Sequence, residues 1–114
     1  MGKLTTHVLN LVSGKPAAGM RIALRQRHGP LLAECITNED GRVAQALLEG
    51  AALQVGQYAL SFHVAEYFRR LGTALAEPPF LDVVTLEFGI SDPQQNYHVP
   101  LLVTPWSYST YRGS

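Results

Sequence analysis

The stretch YHVPLLVTPWSYSTYRGS, Tyr97 to Ser114, decides how the chain is read. It holds two extended runs, Tyr97 to Thr104 and Ser107 to Arg112, joined at Pro105-Trp106, and its Thr, Tyr and Val content is that of strand. Period-two alternation puts Tyr97, Val99, Leu101 and Val103 on one apolar face, with His98, Pro100, Leu102 and Thr104 on the other. His98 therefore points away from the core.

Working outward, other short strands are separated by turns. Thr6 to Val12 alternates with His7, Leu9 and Leu11 on one side and Val8, Asn10 and Val12 on the other. Both sides are partly apolar. A small one-core chain covers a second apolar strand face by packing it on another subunit, so an oligomer is expected. Ser13-Gly14-Lys15-Pro16 reads as a turn, and Arg21 to Arg27 as a strand with Ile22 and Leu24 inward. His28-Gly29-Pro30 then turns the chain into LLAECIT, followed by the turn Asn38-Glu39-Asp40-Gly41.

VAQALLEGAAL has helical composition, but Gly50 and the spacing of turns favour a short strand and a loop. In GQYALSFHV, Tyr58, Leu60, Phe62 and Val64 share a face. Ala65 to Leu71 is the helix candidate, ended by Gly72. DVVTLEFGI carries the stripe Val84, Leu86, Phe88 and Ile90. About eight short strands and one helix at this spacing predict an all-β sandwich formed by residues 1–114 as a single domain.

Composition narrows the function. Nine basic residues balance nine acidic ones in 114 positions, so no excess charge points to nucleic acid or a membrane surface. No apolar run approaches the ~18 residues of a membrane span and none has signal-peptide form, so a cytoplasmic address is expected. The single cysteine, Cys35, sits in an apolar run and reads as a small hydrophobe.

Of four histidines, His28 falls in a turn and His63 at a strand end. His7 and His98 lie inside strands on faces shared with apolar neighbours, the setting of a partly desolvated pocket. No other ligand stands at metal-binding spacing from either, so neither a metal nor another cofactor is expected. A free pKa of about 6.5 suits general acid or base work near neutrality.

THVLN near the start, DGR in the middle and YRGS after the YHVPLL strand together resemble the 5-hydroxyisourate hydrolases, the transthyretin-related enzymes of urate breakdown. The resemblance runs from about Leu4 to Ser114. It implies a transthyretin-like sandwich with two four-stranded sheets and a helix after the fifth strand, assembled as a homotetramer. It also implies a small-molecule substrate, 5-hydroxyisourate, with His7, Arg42 and His98 catalytic and Tyr111 and Ser114 lining the pocket beside His7 and Arg42. The guanidinium of Arg42 suits a ligand with several carbonyl oxygens and an oxyanion in formation. One departure is Asn10, where the family usually has Asp. The alternatives are a transthyretin-type carrier, which has other residues at the His, Arg, His and YRGS positions, and a non-catalytic sandwich module, which shares only the turns.

Overall fold

A computed structural model describes residues 1–113. The strands are β1 (Lys3–Asn10), β2 (Lys15–Pro16), β3 (Arg21–Gln26), β4 (Leu31–Ile36), β5 (Leu48–Glu49) and β6 (Gly56–His63). Helix α1 (Val64–Arg70) follows, then β7 (Val83–Ile90), β8 (Tyr97–Val103) and β9 (Tyr108–Ser109). One sheet has the order β2-β1-β8-β9, with β5 also on β1; the other has the order β4-β3-β6-β7. This is the expected two-sheet sandwich. The strand beyond the expected eight is β2, a two-residue segment within the turn read at Ser13 to Pro16.

Burial alternates along the strands as the apolar pattern requires. Leu4, Val8, Ile22, Leu24, Leu60, Phe62, Leu101 and Val103 are fully buried between the sheets. The helix begins at Val64, one residue earlier than expected, and still buries Val64, Ala65, Tyr67 and Phe68. Gly72 follows it with φ 86°, a value glycine adopts without steric cost. Cys35 packs half-buried against the core, and burial, reinforced by Glu34, pushes its thiol pKa up. This is the inert setting expected of it.

The bounds of the first strand are corrected. The first strand starts at Lys3 and ends at Asn10, so Leu11 and Val12 lie beyond it. Asn10 stops it: the backbone N–H groups of Val12 and Ser13 donate to Asn10 Oδ1 at 2.9 and 3.2 Å, forming a side-chain-closed turn. Pro100 keeps the outward face, in register with His7 on β1, and is buried there.

What positions the site is the parallel pairing of β1 with β8, which sets Thr5 opposite His98 and His7 opposite Pro100. The other edge of β1 is shared. β2 pairs with Leu9 and Asn10, β5 pairs with Lys3 and Leu4, and between them Arg42 bridges His7.

Candidate active site

The turn before Arg42 is closed by Asn38, whose Oδ1 accepts from the N–H of Asp40 at 2.9 Å and of Arg42 at 3.2 Å. Gly41 then lies flat on β1, where the Val8 N–H donates to its carbonyl at 2.8 Å. With φ 73° and an added Cβ set directly against the Val8 carbonyl and 3.1 Å from Pro16 Cβ, only glycine fits there. The Asp-Gly step thus joins the turn to β1, and the next residue, Arg42, is delivered beside His7.

Bridged partners share a face of the sheet, as do Thr5, His7 and His98 through the β1–β8 register. The fold therefore brings together His7, Arg42 and His98 from three distant parts of the chain. Burial first, then the positive charges of Arg42 and His7, hold the His98 pKa below the usual imidazole value. A neutral imidazole beside a guanidinium can take a proton from water, and the guanidinium can hold the negative charge that follows. Thr5, Thr6, Arg42, Gln45 and Glu49 line an adjoining cleft of about 550 Å³.

The strand after Trp106 is shorter than the sequence led one to expect, because Pro100 has no N–H to offer the position opposite, Tyr111. The carbonyl of Pro100 instead accepts from Thr110 Oγ1 at 2.6 Å. Pairing resumes one step on. His98 and Gly113 exchange both backbone hydrogen bonds, at 3.2 and 2.7 Å.

Tyr111 is 60% exposed and lines a separate groove along β7, β8 and β9 with Phe88, Tyr97, Val99, Tyr108 and Arg112. It is not among the side chains gathered around Arg42. Ser114, expected in the pocket, lies outside the described residues. Asn10 has no part in the cluster: it is 2% exposed on the core side of β1, and its Nδ2 donates to the Tyr67 hydroxyl at 3.2 Å. Among the described residues no group of three or more His, Cys, Asp or Glu side chains is placed to hold a metal ion.

Two contacts with His98 escaped the sequence reading. Thr5 Oγ1 lies 2.9 Å from His98 Nδ1, and a Cβ at Gly113 would stand 3.0 Å from His98 Cβ and 3.1 Å from Cδ2. Their partners are 93 and 15 residues away, beyond any local signal.

A two-sheet sandwich with this strand order and one short helix is the transthyretin-like class. A profile of the HIUase/Transthyretin family matches residues 4–113. The chain belongs to that family, as THVLN, DGR and YRGS implied. The 5-hydroxyisourate hydrolase of Deinococcus radiodurans is 54% identical over 114 residues, 97% of this chain and 95% of that protein. The structure of Klebsiella pneumoniae 5-hydroxyisourate hydrolase superposes with a TM-score of 0.85 at 33% identity, covering 100% of both chains. A crystal structure of (S)-allantoin synthase gives a TM-score of 0.95 at 48% identity over 99% of this chain, which spans 44% of that protein's length.

Proposed function

We infer that this chain hydrolyses 5-hydroxyisourate. The observation that carries the reading is the convergence of His7, Arg42 and His98 beside a cleft. Support also comes from relatives of that name matching along nearly their whole length. His98, neutral at pH 7, takes a proton from water as the water oxygen attacks a carbonyl carbon of the six-membered ring. Arg42 orients the substrate and stabilises the oxyanion. As the intermediate collapses, the ring C–N bond breaks, the leaving nitrogen takes up through the His7–His98 pair the proton that His98 took from water, and the attacked carbon becomes a carboxyl group that releases its proton to solvent as a carboxylate. The product is 2-oxo-4-hydroxy-4-carboxy-5-ureidoimidazoline. No covalent intermediate or cofactor is needed in this reading.

The working form is a homotetramer in the cytoplasm. Half-buried Leu9 and Leu102 pair on the face that carries His7 and His98, and Leu11 and Trp106 beyond them are 50% and 63% exposed, which together give another subunit an apolar surface to cover. Light scattering that found an active monomer at micromolar concentration would overturn this.

Spectrophotometry with freshly generated 5-hydroxyisourate tests the reaction. The protein should accelerate decay well above the spontaneous rate, and His98→Asn should lower kcat by about 10² to 10⁴ with the fold intact. Decay no faster than in buffer, with the substrate bound unchanged, would instead indicate a carrier.

A further inference from the structure

The cleft and the histidine cluster meet at one hydroxyl. Thr5 lines the cleft with Arg42, sits opposite His98 in the β1–β8 register, and places Oγ1 2.9 Å from His98 Nδ1. Threonine is branched at Cβ, and its χ1 is stiff in a strand, so the hydroxyl is held where it stands. A neutral imidazole has one nitrogen that donates and one that accepts, and the partner of the first decides what the second presents. With Nδ1 engaged by Thr5, the nitrogen left for chemistry is Nε2. The same ring feels the positive charges of Arg42 and His7. An Nε2 turned toward a guanidinium is favoured as a lone pair and disfavoured as an N–H, which corresponds to the form protonated at Nδ1.

We propose that Thr5 is a positioning residue whose Oγ1 accepts the Nδ1–H of His98 and thereby holds the ring in the tautomer with the Nε2 lone pair free to take a proton from the attacking water. The catalytic part rests on the hydrolase reading above; the tautomer does not. With Oγ1 accepting, the threonine O–H is free to donate into the cleft, toward water or a substrate carbonyl. Thr5 then ties the base and the bound substrate to one rigid strand position, the arrangement that a reaction limited by geometry requires.

The test compares wild type with Thr5→Val, which keeps shape and branching but removes the hydroxyl, and Thr5→Ser, which keeps the hydroxyl. Nitrogen-15 NMR of the ligand-free protein, at a pH where His98 is neutral, should show Nδ1 protonated and Nε2 unprotonated in wild type and Thr5→Ser. Thr5→Val should lose that preference. In the assay Thr5→Val should lower kcat by about 10- to 100-fold, the scale of losing a hydrogen-bond partner that orients a histidine. Thr5→Ser should recover most of the rate.

A wild-type ring protonated at Nε2 overturns the assignment. So does Thr5→Val with the wild-type tautomer and rate, or Thr5→Ser as impaired as Thr5→Val, since shape alone would then explain the loss. Should wild type fail to hydrolyse 5-hydroxyisourate, the reaction falls and so does the catalytic part of the proposal, while the NMR experiment still decides the hydrogen bond.

Discussion

Replacing Gly113 by alanine probes how tightly the C-terminal segment fixes His98. The added Cβ would stand 3.0 Å from His98 Cβ, 3.1 Å from Cδ2 and 3.4 Å from Cγ. Carbon atoms in van der Waals contact sit at about 3.5 to 4.0 Å, so ring and chain end must separate by roughly 0.5 Å, the difference between 3.5 and 3.0 Å. The ring cannot absorb this alone. Its Nδ1 is bonded to Thr5, and its backbone exchanges two hydrogen bonds with Gly113 itself. A displacement near 1 Å at a catalytic group costs about 10²-fold, so half that distance predicts a kcat about 10-fold lower. Stability should change little. Even full loss of the two backbone hydrogen bonds removes about 2 kcal/mol, less than about 10 °C in Tm for a chain of this size. Steady-state kinetics on freshly generated 5-hydroxyisourate, with a melt by circular dichroism, would check both numbers. A folded Gly113→Ala protein with wild-type kcat would refute the claim that this glycine keeps the His98 ring in place.

Other outcomes follow from the same geometry. Arg42→Met removes the guanidinium charge that helps depress His98, so the histidine should titrate closer to its ordinary value by NMR, with kcat/KM falling sharply; an unmoved titration would place Arg42 away from the ring. Because the folded His98 pKa lies below the unfolded value of about 6.5, the unfolded chain binds more protons between those two values. Its contribution to stability is therefore complete above about 6.5 and is lost as pH falls through that window, which denaturant melts across mildly acidic pH would detect against a His98→Asn control. Gly41→Ala combines a positive φ with a clash against β1, so a loss of about 2 to 4 kcal/mol in chemical denaturation is expected, and a neutral result would mean the turn is not fastened to β1. Asn10→Asp should leave kcat within about 2-fold of wild type, because position 10 faces the core and the Tyr67 hydroxyl rather than the cleft; a large change in kcat would reopen a role for this position in the chemistry.

The sequence by itself determined the two-sheet sandwich and most of its inner faces. Strand alternation is local, so Leu24, Leu60, Phe62, Leu101 and Val103 announce their burial through their immediate neighbours. The outward direction of His98 was legible for the same reason. Strand ends were less so. Asn10 stops β1 through its own side chain, and Pro100 interrupts β8–β9 pairing opposite Tyr111, both of which depend on where hydrogen bonds go rather than on hydrophobic period. Family resemblance named His7, Arg42 and His98, but only the tertiary structure put them together. The bridge from Arg42 to His7 needs Gly41 laid against Val8, and the bond from Thr5 to His98 spans 93 residues through a parallel register. Such contacts are set by which strands become neighbours in the sheet, and that choice is made by burial of the whole core at once, not by the residues on either side of the site.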